Sequence, residues 1–187
     1  MSLELPVITT SRLILRLPIH RDAATILNYY LENKEFLTAV EPTRPPLFYT
    51  LEFWQEQVEK GLIEYDHDQA FKLGMFTHSH PDRLIGKINF TQIQRGASYS
   101  CCLGYSLAER EQGRGYMSEG LSAAIPYVLQ NLNLHRIIAS YMPHNQRSGR
   151  LLKSQGFVIE GYARDYLMIN GQWEDHILTS RINPNWL

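Results

Sequence analysis

The first patterned stretch of the chain alternates. From Ser11 to Leu17, the side chains of Leu13, Leu15 and Leu17 fall on one face, which predicts a strand. From Asp22 the interval lengthens, and Ala23, Ile26, Leu27, Tyr30 and Leu31 recur at the spacing of a helix. Glu41-Pro42-Thr43-Arg44-Pro45-Pro46 reads as a loop, because its prolines remove backbone donors and fix φ. Leu51, Trp54, Val58 and Leu62 then predict a second helix from Thr50 to about Glu64. Three strands are expected at Ala70 to Thr77, Leu84 to Ile93 and Tyr99 to Leu107, separated by polar runs and forming an antiparallel meander. A long helix follows with Met117, Leu121, Ile125, Val128 and Leu132 on one stripe, then a strand at about Arg136 to Met142. A shorter helix runs from about Asn145 to Gln155 and stops at Gly156. Two last strands, around Phe157 to Ile169 and Trp173 to Arg181, meet at Asn170-Gly171, a tight-turn dipeptide. The expectation is about seven strands and four helices in an α/β fold with a mixed sheet. No repeat, low-complexity tract or linker divides it, so residues 1–187 are read as a single domain.

Composition adds limits. At 187 residues, with 44% hydrophobic and 20% charged side chains, the chain suits one soluble domain with a substantial core. A net charge of −1 argues against a broad basic surface, so no direct nucleic-acid binding is expected. The only cysteines, Cys101 and Cys102, are adjacent in a strand-like run and should point to opposite faces, which excludes a disulfide framework and a zinc site. His78-Ser79-His80 sits in a polar turn without further ligands, and no metal is expected. Met1 to Val7 has no basic stretch followed by an apolar run, and no window approaches the ~18 consecutive apolar residues of a membrane span. The expected compartment is the cytoplasm, with no membrane partner.

Two motifs carry chemistry. Arg110-Glu111-Gln112-Gly113-Arg114-Gly115 lies between a predicted strand and the long helix, where unpaired backbone N–H groups can meet an anion. Gly113 and Gly115 let a phosphate approach without meeting a Cβ, and Arg110 and Arg114 can add charge-assisted contacts. A dinucleotide fingerprint needs a third glycine where Ser118 stands, and a P-loop needs Gly-Lys-Ser/Thr, so neither applies. Alone, the two glycines are equally consistent with a tight turn. The second motif runs from His144 to Phe157: Asn145 is placed to cap a helix, Ser148 falls in its first turn, and Gly156-Phe157 leaves it for a strand.

In this order the two motifs resemble the GNAT acetyltransferase superfamily, whose pattern is [Gln/Arg]-x-x-Gly-x-[Gly/Ala], then Asn-x-x-Ser, then Gly-Phe. Thr10-Ser11-Arg12-Leu13, Glu41-Pro42, Leu103-Gly104-Tyr105-Ser106, His135-Arg136-Ile137, Tyr141-Met142-Pro143-His144-Asn145 and Asn170-Gly171-Gln172-Trp173 extend the resemblance over nearly the whole chain. They look like the RimJ branch of ribosomal-protein N-terminal acetyltransferases. The resemblance implies the GNAT-type acyl-CoA N-acyltransferase fold with a splayed sheet, acetyl-CoA as cosubstrate without a metal, and direct attack within a ternary complex. Its implied substrate is the amino-terminal alanine of a small-subunit ribosomal protein.

Carried onto this chain, the resemblance places Leu103, Gly104 and Tyr105 along the cofactor arm, with a main-chain N–H there for the oxyanion. Arg110, Gln112, Gly113, Arg114, Gly115, Tyr116 and Met117 would hold the pyrophosphate end, joined by Asn145 and Ser148. Many relatives have a tyrosine seven residues after the motif asparagine to protonate the departing thiolate, but Leu152 stands there. Ser148 is then the nearest donor, and Ser148 and Glu41 are the expected catalytic residues. Glu119 and Asp165 are further candidates for the base, and Glu119 could instead support the glycine loop. An α-amine titrates near ~7.7–8.0 and a lysine near ~10.4, so an N-terminal acetyltransferase needs the weaker base. Three rivals remain: a GNAT acting on a small amine (polyamine, amino acid or aminoglycoside), a non-catalytic acyl-CoA binding module, and a ribosome-binding factor, for which the resemblance alone speaks.

Overall fold

The computed structural model describes residues 5–186; residues 1–4, part of the stretch read above for a leader, and residue 187 lie outside them. The elements run β1 (Val7–Thr9), β2 (Leu13–Arg16), α1 (Ala23–Glu32), α2 (Lys34–Thr38), α3 (Leu51–Asp66), β3 (Phe71–Thr77), β4 (Gly86–Gln94) and β5 (Ser100–Leu107). After them come α4 (Tyr116–Asn131), β6 (Arg136–Tyr141), α5 (Gln146–Ser154), β7 (Val158–Ile169) and β8 (Gln172–Ile182). Among the described residues this makes eight strands and five α-helices, where sequence periodicity predicts seven and four. The two extra elements are too short to show a period. β1 has three residues and is folded onto β2 by a turn in which Thr10 N–H donates to Leu13 O at 2.9 Å. α2 has five, of which Leu37 alone is buried.

One sheet carries all eight strands in the order β1-β2-β3-β4-β5-β6-β8-β7. The predicted meander is present: β3, β4 and β5 pair antiparallel with their neighbours in sequence. The two faces follow from strand alternation. Leu13, Leu15, Leu73, Met75 and Ile88 pack under Leu121 and Ile125 of α4, while Phe76 and Leu84 meet Ile26, Tyr30 and Val58 of α1 and α3 on the other side. Each fully buried side chain of this size contributes roughly 1.5–3 kcal/mol. Cys101 is buried and Cys102 partly exposed, as their opposite facing requires. The turn between β7 and β8 has Asn170 at φ 46° and Gly171 at φ 78°, the pair of positive angles that a two-residue hairpin of this hand needs.

The sheet is splayed at its centre. β5 and β6 are parallel, joined by the α4 crossover that a parallel pair requires, and they touch only at Ser100–Arg136, Cys101–Ile137 and Cys102–Ile138. Beyond Cys102, β5 stays with β4 as far as Leu107, and β6 stays with β8 as far as Tyr141. The two halves part, leaving unpaired backbone edges facing each other across a gap. Among the described residues no helix is long and apolar enough to cross a membrane.

Candidate active site

At the mouth of the gap, β5 runs through a short 3-10 turn (Glu109–Glu111) into the glycine loop. Gln112 Nε2 donates to Leu107 O at 3.0 Å and ties the loop to the strand end. Gly113 and Gly115 adopt φ 77° and 78°, the left-handed region that side chains disfavour. A Cβ on Gly113 would meet nothing within 4 Å, so the loop presents bare backbone there. The first helical bond of α4 is Glu119 N–H to Gly115 O at 3.0 Å, which leaves the N–H groups of the preceding turn for an anion.

Glu119 moors this loop to the β1–β2 turn. Its Oε1 accepts from Thr10 Oγ1 at 2.6 Å, Ser11 Oγ at 3.0 Å and Arg12 N–H at 3.0 Å, and its Oε2 accepts from Arg12 Nε at 2.6 Å. Arg12 Nη1 in turn donates to Arg114 O at 2.9 Å, and its guanidinium lies 4.7 Å from the centre of the Tyr116 ring. Burial would raise the Glu119 carboxyl, but the bonds from Thr10, Arg12 and Ser11 outweigh it and hold the group at about 2. So strongly held a carboxylate is a poor proton acceptor, which favours the loop-supporting role. Arg110 and Arg114 are exposed on the outer side of the loop, with Arg114 Nη1 3.1 Å from Glu111 Oε2.

A cleft of about 420 Å³ passes through the splay. Leu103, Gly104, Tyr105, Gln112, Met117, Asn145 and Ser148 line it, and so does Glu41. Arg110 in the 3-10 turn, Gly113, Arg114 and Gly115 in the loop, and Tyr116 at the start of α4 are not in its wall. A Cβ at Gly104 would meet nothing within 4 Å, so the strand offers its backbone to the cleft at that point.

The helix end beside the cleft is built by the second motif. Asn145 Oδ1 accepts from Ser148 N–H at 3.1 Å and caps α5. Ser148 Oγ is 2.7 Å from Tyr105 Oη. Burial pushes the Tyr105 phenol up to about 12, although its bond to Ser148 pulls the other way, so the phenol keeps its proton at neutral pH. The pair thus holds two hydroxyl protons and spends one between its oxygens, leaving one O–H to donate. Leu152 is 1% exposed and packs in the main core with α4, so the position of the relatives' tyrosine does not open on the cleft.

Across the gap, Glu41 lies in a half-buried ionic cluster. Its Oε1 is 3.1 Å from Lys87 Nζ and its Oε2 accepts from Arg44 Nη2 at 3.1 Å. Burial would raise the Glu41 carboxyl, but the charges and hydrogen bonds of Lys87 and Arg44 leave it below the usual range. Lys87 also contacts Tyr30 Oη, and Tyr30 and Glu41 raise its ammonium despite burial. Asp165 is exposed in a bulge of β7, with its N–H donating to Asp175 Oδ1 at 2.9 Å, and it lies outside the cleft wall. His176 does line the cleft and is 4% exposed. Its Nδ1 is 2.9 Å from Glu174 O, and a carbonyl only accepts, so Nδ1 carries the hydrogen and Nε2 of the neutral ring keeps a lone pair. Sequence reading passed over His176 and Lys87. Each is one of several polar residues in its strand, β4 or β8, and such a pattern does not distinguish a site from an edge.

Residues 12–158 match the family described as the Acetyltransferase (GNAT) domain. The chain is 45% identical over 181 residues to the [ribosomal protein uS5]-alanine N-acetyltransferase of Escherichia coli, covering 96% of this chain and 92% of that one. The solved ribosomal-protein-S5-alanine acetyltransferase of Vibrio fischeri superposes with a TM-score of 0.93 at 36% identity, covering 97% of this chain and 99% of that one. A Mycobacterium smegmatis RimJ, solved with CoA-disulfide, shares the fold at 23% identity with a TM-score of 0.86, covering 95% of this chain and 86% of that one.

Proposed function

Because the chain belongs to the GNAT acetyltransferase family, we propose that it transfers the acetyl group of acetyl-CoA to the amino-terminal alanine of a small-subunit ribosomal protein in the cytoplasm. The observation that carries this reading is the charge of the cleft wall. Glu41 is its only carboxylate among the described residues, and that carboxylate is already shared by Lys87 and Arg44. A polyamine or aminoglycoside needs several free carboxylates, whereas a single α-amine does not. The naming of the Escherichia coli and Vibrio fischeri relatives supports the same substrate.

The chain offers a fitting place for acetyl-CoA: bare backbone at Gly113 and Gly115, free N–H groups at the start of α4, and an open strand edge at Leu103 to Tyr105. When bound, the thioester supplies an activated acyl group. Gln112, Met117 and Asn145 would orient its arm, and Arg110 and Arg114 would screen its phosphates. Tyr116 would hold Arg12 beside the loop. On the substrate side, Glu41 orients the incoming amine, and its low-lying carboxyl makes it a poor base. His176 Nε2 takes the proton. A weak base suffices, because a free α-amine is already about one-tenth neutral at pH 7. Ser148, backed by Tyr105, would donate a proton to the leaving sulfur, and the pair would be reprotonated from solvent as His176 releases the amine's proton to it.

The test is steady-state transfer from acetyl-CoA to a peptide beginning with alanine, beside an N-terminally blocked lysine peptide and a polyamine. Selective turnover of the free alanine terminus is expected. Turnover of the polyamine alone would overturn the substrate assignment, and CoA binding without any transfer would overturn the enzymatic one.

A further inference from the structure

A second cavity, of about 270 Å³, lies between α1, α3 and the outer face of β3 and β4, and shares no lining residue with the acetyl-transfer cleft. Its body is aromatic: Tyr30, Phe48 and Trp54 form a cluster in which Tyr30 and Trp54 stack at 4.8 Å and Phe48 meets Trp54 edge-on at 4.9 Å. Its charged lining among the described residues is cationic throughout, comprising Arg44, Lys72 and Lys87 with no carboxylate. Lys72 is paired with Glu64, but Lys87 and Arg44 share the single carboxylate of Glu41, so this corner carries a surplus positive charge.

Two buried donors have no partner among the described residues, Arg44 Nε and Trp54 Nε1, and both belong to this cavity. They flank the same ring: the Arg44 guanidinium sits 4.8 Å and the Trp54 ring 4.9 Å from the centre of Phe48. A buried unsatisfied donor costs about 1–3 kcal/mol, and leaving two of them in one aromatic corner is a demand for an acceptor.

We propose that this cavity is a binding site for a small carboxylate carried on an aromatic body. The ring lies in the cavity against the side of the Tyr30, Phe48 and Trp54 cluster. A small turn of the Arg44 and Trp54 side chains uncovers Nε and Nε1, from which the carboxylate accepts while it balances the surplus charge of Arg44 and Lys87. Because Arg44 and Lys87 also hold Glu41, an occupant here is felt at the substrate side of the cleft without entering it.

The experiment uses the full chain with 3-phenylpropionate and its neutral analogue 3-phenylpropanamide as probes, read by calorimetry and by saturation-transfer NMR. Saturable one-to-one binding of the acid is expected, with the amide at least tenfold weaker and no competition from saturating CoA. Trp54→Phe removes one donor and keeps the ring; Gly61→Leu fills the cavity from α3, where a Cβ has Lys72 Cδ as its nearest neighbour at 4.0 Å. Each variant should weaken the acid at least tenfold while still unfolding in one cooperative transition and binding CoA normally. No saturable binding by either method, equal binding of the amide, displacement by CoA, or full affinity in Gly61→Leu would each overturn the proposal.

Discussion

Replacing Glu119 by glutamine tests whether the glycine loop depends on a distant ionic mooring. The amide oxygen can still accept from Thr10, Ser11 and the Arg12 backbone, but the amide nitrogen then faces the Arg12 guanidinium, donor against donor. Hydrogen bonds to charged groups are worth about 1.5–3 kcal/mol, and Arg12 is 47% exposed, so solvent screening reduces the expected loss to about 1–2 kcal/mol. In a chain of this size that lowers the unfolding midpoint by about 3–6 °C. The pH dependence gives the sharper test. The Glu119 carboxyl is held at about 2 in the folded chain against an ordinary value of 4.5. Its stabilisation is therefore complete above pH ~4.5 and is lost as pH falls through about 2. The gap between wild type and Glu119→Gln, followed by thermal unfolding, should shrink to roughly half or less between pH 7 and pH 3. The KM for acetyl-CoA should rise more than kcat falls, since the loop holds the ligand and performs no proton transfer. A gap that does not change with pH, or an unchanged KM, would refute the mooring.

The remaining predictions concern the proton donor and its missing counterpart. Ser148→Ala should lower kcat by about 10²-fold, the scale of one general-acid contribution, with CoA affinity little changed in direct titration. Tyr105→Phe should produce a smaller loss of the same kind, because it removes the second hydroxyl and keeps the first. If instead Ser148→Ala mainly weakens CoA binding, the serine is a cofactor contact and not a donor. Leu152→Tyr, which restores the residue many relatives carry, should lose about 1–3 kcal/mol of stability by overpacking and gain no activity, because this side chain is enclosed by the core. A faster enzyme with an unchanged unfolding midpoint would contradict that placement.

The parts legible in the sequence are those whose chemistry is local. Gly113 and Gly115 declare a bare loop by their own lack of side chains, and Asn145 with Ser148 declares a helix cap within one turn. Cys101 and Cys102 reveal their facing by parity alone. The parts that escaped are made by distance along the chain. Glu41 is recognisable beside its prolines, yet its partner Lys87 lies on a strand beyond an intervening helix, and only the fold brings them to 3.1 Å. Glu119 shows the same limit, since its tether to Thr10, Ser11 and Arg12 reaches across most of the sheet's assembly. His176 escaped for a different reason: a strand pattern records which face a residue takes, and here that face happens to be a cleft wall. β1 and α2 were lost because a period cannot be read from fewer residues than it takes to repeat twice.

A sheet bridged at its middle by three residue pairs also carries a fracture line. On one side, β1 to β5 are zipped by antiparallel neighbours; on the other, β7 and β8 form a hairpin that clasps β6. The ladders on either side, β4 with β5 and β6 with β8, are longer than the parallel seam that joins the two halves. That short seam borders the very place where the groove lies. Any molecule lodged in that groove against both edges acts as a suture between the halves, and its binding energy adds to the work of parting them.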